Sequence, residues 1–247
     1  MPVAKQGHIV ALGGGGFSME PDNPLLDEFV LSLSRRKRPR VCFIPTASAD
    51  SALYIANFYR AFANRCEATD LTLFDPPSLP RNPPRTDDLG AFVATKDIFY
   101  VGGGSTANLL AMWRTHGLDK LLRKAWRTGA VMADISAEMV CWFEDGLTDS
   151  FGGLRRLKDG LRFLSGSACP HYDGEPERRE AYREMVGGGA PAGYAVDDGV
   201  ALHFVGRRFK EAVSSRPNAA AYRVAIRRGK VTETPLPVRF LGIGSAR

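Results

Sequence analysis

VMADISAEMVCWF, residues 131–143, is the stretch whose reading decides the fold. Val131, Met132 and Ala133 run into Asp134-Ile135-Ser136-Ala137-Glu138, and a second apolar run follows. A short buried strand over 130–135, a sharp turn with Ser136 at its tip and a helix over 136–143 account for that pattern. Corners of this kind hold a serine hydroxyl clear of the backbone, with small residues two places on either side. Here those two places carry Asp134 and Glu138.

Working outward, the same alternation repeats. Apolar, β-branched runs at 8–12, 40–44, 68–74 and 97–101 read as strands. Helical spacing follows at 24–34 (Leu25, Leu26, Phe29, Val30, Leu33), at 50–64 (Leu53, Ile55, Phe58, Phe62), at 106–115 and at 118–127. A Pro-rich stretch, PPSLPRNPPRTDD at 76–88, is expected to be a loop. Short strands alternating with helices predict an α/β fold with a largely parallel sheet. Ligands in such sheets sit beyond the carboxyl ends of the strands. Three turns fall there: GGGG at 13–16, GGGST at 102–106 and DISAE at 134–138. From Gly193 onward the runs look like hairpin strands with Arg228-Gly229 as a turn, so one domain over 1–247 is expected, with a C-terminal β-hairpin region at about 200–240.

Composition narrows the function classes. The 247 residues are 44% hydrophobic and 24% charged, ordinary for a globular chain. No apolar run approaches the roughly 20 residues that span a bilayer, and MPVAKQGHIVALGGGG has too short an apolar segment for a signal peptide. A cytoplasmic protein with no membrane partner is expected. The net charge of +6 is spread along the chain; its densest run, Arg35-Arg36-Lys37-Arg38, falls where a helix should end and cations favour the dipole. No nucleic-acid partner is expected, since no recognition module accompanies the charge. Cys42, Cys66, Cys141 and Cys169 lack CxxC spacing, and Cys42, Cys141 and Cys169 sit in or beside apolar runs, which predicts reduced, mostly buried thiols and no metal or cofactor site.

Several motifs have two readings when taken singly. The glycine runs can crowd backbone N–H groups toward an anion, as a phosphate cradle or an oxyanion hole, or can be tight turns. His8, His116 and His203 read as structural, whereas His171 in CPHYDG stands at a strand end before a turn. Asp197-Asp198-Gly199 reads as a hairpin turn or as the carboxylate that orients a histidine. Together, a serine corner, a glycine loop, a strand-end histidine and a later aspartate are the parts of a serine hydrolase site. A thiol enzyme built on Cys141 or Cys169 is the weaker alternative.

At these residues the chain resembles the peptidase E (aspartyl dipeptidase) family of serine peptidases, relatives of cyanophycinases. The resemblance is carried by the early glycine turn with Ser18-Met19, FIPTAS at 43–48, VGGGST at 101–106 with the following Asn-Leu-Leu, ISA before CWF, CPHYDGE at 169–175 and AVDDG at 195–199. It implies a three-layer α/β/α sandwich of class I glutamine amidotransferase-like fold. It implies Ser136 as nucleophile, His171 as base and Asp198 as third member, where the best-known enzymes have glutamate. It further implies oxyanion N–H groups from Gly103 and Ala137, with Gly104, Gly14 and Gly15 lining the oxyanion and substrate site. The substrate is then a small peptide, with a homodimer as an option.

The departure lies in the opening stretch, where the family's Gly-x-Ser-Ala-Gly reads Asp134-Ile135-Ser136-Ala137-Glu138. The expectation is weak or absent aspartyl dipeptidase activity, with Glu138 favourable to the helix dipole but opposed to an oxyanion. On that reading, glycine at both positions raises hydrolysis. The alternative is a catalytically inactive relative that binds a small ligand or partner at the same cleft.

Overall fold

The computed structural model describes residues 6–74 and 88–242, apart from the side chain of Ala137. The Pro-rich stretch, save Asp88, lies outside the described residues. In chain order the elements begin β1 (His8–Leu12), α1 (Gly16–Met19), α2 (Leu25–Ser32), β2 (Arg40–Ile44), α3 (Ala52–Phe62) and β3 (Glu67–Asp70). They continue with α4 (Leu89–Ala94), β4 (Ile98–Val101), α5 (Thr106–His116), α6 (Leu118–Arg127), β5 (Val131–Asp134) and α7 (Met139–Trp142). Next come β6 (Asp145–Thr148), β7 (Arg155–Leu157), β8 (Ser167–Cys169), α8 (Pro176–Gly187) and β9 (Gly193–Val196). The chain closes with β10 (Val200–Val205), β11 (Arg208–Ser214), β12 (Ala221–Arg227), β13 (Lys230–Pro235) and β14 (Val238–Phe240).

Among the described residues the strands form an eight-stranded sheet, ordered β14-β11-β10-β1-β5-β4-β2-β3, and a six-stranded sheet, ordered β13-β12-β9-β8-β6-β7. In the larger sheet β1, β5, β4, β2 and β3 are mutually parallel, while β10 joins β1 antiparallel. Both faces of this parallel core are covered, as the continuous apolar runs require. Successive side chains point to opposite faces. Ile9, Ala11, Cys42, Ile44, Phe99, Val101 and Met132 therefore pack with α5, α6 and α7 on one side. Val10, Leu12, Val41, Phe43, Ile98, Tyr100, Val131 and Ala133 pack with α1, α2 and α3 on the other. The result is the three-layer α/β/α sandwich.

The helices dock by the stripes their spacing supplies. Leu118, Leu122 and Trp126 of α6 recur every fourth residue and are buried. Thr106, Leu109, Leu110 and Trp113 do the same for α5, whose N-terminus is capped by Ser105 Oγ accepting from Asn108 N at 3.3 Å. In α3 the buried stripe is Phe58 and Phe62, whereas Leu53, expected on that face, is 70% exposed. It lies one position off the 54–58–62 row and so turns to solvent. The third strand is shorter than expected because the amides of Leu73 and Phe74 turn away to the Asp50 carboxylate, at 2.5 and 2.6 Å.

The six-stranded sheet was not distinguished by the sequence pattern. It holds β8 between parallel neighbours β6 and β9, and α8 covers it through Tyr182 and Val186 against Cys169, Tyr172, Ala195 and Val224. The segment 197–199, which reads as a hairpin turn, in fact leads from β9 in this sheet to β10 in the other. The Arg228-Gly229 turn does close a hairpin, β12–β13, with positive φ at both residues (52° and 76°) as the strand twist demands.

One buried acid of the core makes stability depend on pH. Asp27, 2% exposed, accepts the Tyr100 hydroxyl at 2.7 Å, and burial pushes its carboxyl up to about 6. The folded chain thus holds a proton that the unfolded chain releases near the ordinary aspartate value. Stability is highest below that value, falls as pH rises toward about 6, and is flat above it. Asp27→Asn keeps an oxygen for Tyr100 and removes the ionisation. The variant is expected to be more stable than the parent at neutral pH by about 1–3 kcal/mol, an advantage that vanishes near pH 4. Urea titrations at the two pH values check this; an equal offset at both contradicts it.

Candidate active site

The two sheets meet at the carboxyl ends of their parallel strands, and each contributes to one cluster. From the larger sheet β5 ends at Asp134, and a single 3-10 turn, Ser136–Glu138, precedes α7. The helix expected over 136–143 is therefore split in two. Ser136 has φ 72°, a left-handed conformation that costs a non-glycine residue about 1–2 kcal/mol and lifts its side chain out of the turn. In the smaller sheet the adjacent parallel strands β8 and β9, paired through Cys169 and Ala195, deliver His171 and Asp198 just beyond their ends.

These three side chains touch in series. Ser136 Oγ lies 2.5 Å from His171 Nε2, and His171 Nδ1 lies 2.5 Å from Asp198 Oδ1. With Asp198 accepting the Nδ1 proton, Nε2 is left to accept the serine hydroxyl. The imidazole and the Asp198 carboxylate keep 13% and 15% of their surface exposed, so the cluster lines a cleft instead of filling a core. Asp197 faces elsewhere: its Oδ2 accepts the Ala220 amide at 2.9 Å, and burial pushes its carboxyl up to about 6.

The first glycine turn is the joint between the sheets. His171 N donates to Gly13 O at 2.9 Å and Gly199 N donates to Gly14 O at 3.1 Å. A Cβ on Gly14 would run into Asp198 Oδ1 and sit 3.0 Å from His171 Cε1. Gly14 thus seats the His171–Asp198 pair, and Gly15, whose N–H reaches Met19 Sδ at 3.2 Å, packs against Gly199. Gly14→Ala is expected to displace the pair and lower turnover about a hundredfold, the loss that goes with a misplacement of about 1 Å. Full activity in a folded Gly14→Ala variant would refute this seating.

Sequence reasoning missed the residues that support the pair. Asp173 Oδ1 accepts the Asp198 amide at 2.8 Å. Glu20 takes Arg216 Nε and Ser215 Oγ, at 2.5 and 2.7 Å, which ties the glycine turn to the end of β11. The partners are 195 and 196 residues apart in the chain for Glu20, so no local signal marks them.

The second glycine loop is held on two sides. Gly103 N donates to Tyr54 Oη and Gly104 N to Glu138 Oε2, each at 3.0 Å. Asp134, the other departure from the family pattern, accepts Leu12 N at 3.1 Å and Trp142 Nε1 at 2.7 Å. Both acids are wholly buried, at 0% exposure. Burial pushes both carboxyls well above their ordinary range, and for Glu138 the neighbouring Asp134 adds to it. Glu138, expected as a charge opposed to an oxyanion, is thus enclosed where burial disfavours its charged form. Glycine at both positions also carries a cost in the core. Deleting Asp134 leaves the Leu12 and Trp142 donors unpaired in the core, which costs about 1–3 kcal/mol each.

The cysteines do not suit nucleophilic chemistry. All four are buried and free, and burial raises every thiol, to about 12 for Cys42 and about 11 for Cys66. A thiol that does not ionise near neutral pH is a poor nucleophile, which removes the Cys141 and Cys169 alternative. Among the described residues no group of three or more His, Cys, Asp or Glu side chains could hold a metal, and no helix is long and apolar enough to cross a membrane.

A serine on a strained strand–helix corner, hydrogen-bonded to a histidine that a carboxylate orients, is the geometry of serine hydrolases, on a class I glutamine amidotransferase-like fold. The chain belongs to peptidase family S51, whose family model matches residues 9–212. It is therefore a serine peptidase by family. It is 52% identical over 236 residues to the uncharacterized peptidase YgaJ of Bacillus subtilis (strain 168), covering 95% of this chain and 99% of that protein. Its fold matches the crystal structure of a peptidase from an acI-B1 Actinobacterium with a TM-score of 0.68 at 16% identity, over 95% of this chain and 96% of the other. A protein of Listeria monocytogenes EGD-e provisionally named peptidase E matches with a TM-score of 0.59 at 17% identity, over 83% and 96% of the two chains.

Proposed function

We propose that this peptidase is a hydrolase of peptidase E type that cleaves short peptides with Ser136, His171 and Asp198 as its triad. The observation that carries the reading is the unbroken series Ser136 Oγ, His171 Nε2, His171 Nδ1 and Asp198 Oδ1, with both contacts at 2.5 Å. A free hydroxyl is a poor nucleophile at neutral pH. As Ser136 Oγ bonds to the peptide carbonyl carbon, its proton passes to His171 Nε2, and Asp198 stabilises the imidazolium. The same proton then goes to the departing amine nitrogen as the C–N bond breaks. Water, deprotonated by His171, then attacks the acyl carbon, and as the acyl–Oγ bond breaks His171 returns that proton to Ser136 Oγ. The resemblance assigns the oxyanion to the amides of Gly103 and Ala137.

Turnover is slow on this proposal for any peptide, aspartyl dipeptides included, and for a reason other than charge. The Gly103 N–H already serves Tyr54 Oη and must leave it to meet an oxyanion. A fluorophosphonate probe followed by peptide mass mapping tests the reading. Modification at Ser136, lost in Ser136→Ala, is the expected result. A folded protein that is not modified leaves the cleft as a binding site only, and the proposal falls.

A further inference from the structure

Glu138 replaces a small residue of the family pattern, yet like Asp134 it is wholly enclosed beside the nucleophile turn. None of its surface is exposed. Its Oε2 accepts the Gly104 amide at 3.0 Å, and among the described residues its Oε1 is buried with no hydrogen-bond partner. A Cβ built on Gly103 would stand 3.2 Å from Ser136 Cβ, 3.2 Å from Ile135 O and 3.5 Å from Glu138 Oε2. Carboxyl, glycine loop and nucleophile turn therefore converge on one point.

The charged and titratable groups that act on Glu138 come from each element around it. They are Asp134 at the end of β5, Cys141 on α7, Tyr54 on α3 and Asp149 after β6. All are acids; no cation is among them. An ionised carboxylate here would have one oxygen bare of donors and three acidic neighbours besides the thiol. A neutral acid fits the same contacts. Its carbonyl oxygen, Oε2, would accept the Gly104 N–H with the proton on Oε1, so that no unpaired charge is buried.

We propose that Glu138, as a neutral carboxylic acid, is a positioning residue that pins Gly104 and so fixes the backbone of the 102–104 loop against the Ser136 turn. This rests on the serine hydrolase reading for its effect on turnover, but the pinning itself does not. Ionisation of Glu138 undoes the arrangement, since it sets a negative charge beside the developing oxyanion and draws Oε1 toward water.

The test compares the wild type with Glu138→Gln and Glu138→Ala. The rate of fluorophosphonate attachment at Ser136 is followed from about pH 6 to about pH 10, and amide exchange at Gly104 is followed by NMR. Alanine is expected to slow attachment about a hundredfold through displacement of the loop, and to speed exchange at Gly104. Glutamine, which presents a carbonyl oxygen without an ionisation, is expected to recover most of both. Relative to glutamine, the wild type is expected to lose rate toward alkaline pH. Glutamine as slow as alanine, or alanine as fast as the wild type, overturns the proposal. If the alanine variant does not fold, parallel pH profiles of the other two overturn it. If the wild type is not labelled at all, the hydrolase reading fails, and exchange at Gly104 still decides whether Glu138 pins the loop.

Discussion

His171→Ala is expected to lower hydrolysis by about a millionfold, the loss seen when the base is removed from a serine triad. Ser136→Ala should match it, and the double variant should be no worse, because the two groups act as one unit. The fold should survive. The imidazole sits in the cleft at 13% exposure, and the His171 amide, which donates to Gly13 O, is retained by alanine. The left-handed backbone of His171, with φ 54°, penalises any Cβ alike, so alanine adds no strain. Turnover of a chromogenic ester or short peptide, with a thermal melt of each variant, is the measurement. Unchanged turnover rules out this triad, and a melting temperature lowered by many degrees assigns His171 to structure instead.

Asp198→Asn should cost about ten-thousandfold, because an amide in place of the carboxylate favours the wrong imidazole tautomer. With an N–H of asparagine facing Nδ1, the imidazole proton moves to Nε2, and the serine hydroxyl loses its acceptor. Asp197→Asn is the internal control. Its oxygen serves the Ala220 amide, and asparagine can still accept there. That change should leave turnover within an order of magnitude and raise stability at neutral pH, since burial already holds the Asp197 carboxyl up at about 6. Equal losses for the two variants, or the reverse order, would mean that the register after β9 does not select Asp198.

The sequence by itself determined the parts of this protein that depend on near neighbours along the chain. Apolar runs of four or five residues ending in glycine, proline or aspartate mark β1, β2, β4 and β5, and their strict two-residue alternation already assigns each side chain to one face of the sheet. Fourfold spacing in 118–127 likewise sets the buried face of α6. The serine corner and the strand-end histidine were legible for the same reason, since each is a local break in an apolar pattern, whereas between Asp197 and Asp198 only the family resemblance chose. What only the tertiary structure decided depends on residues far apart in the chain. Of the strands after Phe143, β6 to β9 with β12 and β13 build a second sheet, in which β8 finds β6 and β9 as partners, and the resulting adjacency of β8 and β9 brings His171 to Asp198. Gly14 matters because of what presses on it from 171 and 198. Asp134 and Glu138 look in the sequence like charges that spoil a site. Enclosure makes them buried hydrogen-bond acceptors for Leu12, Trp142 and Gly104 instead, and desolvation disfavours their charged form by more than those N–H donors favour it.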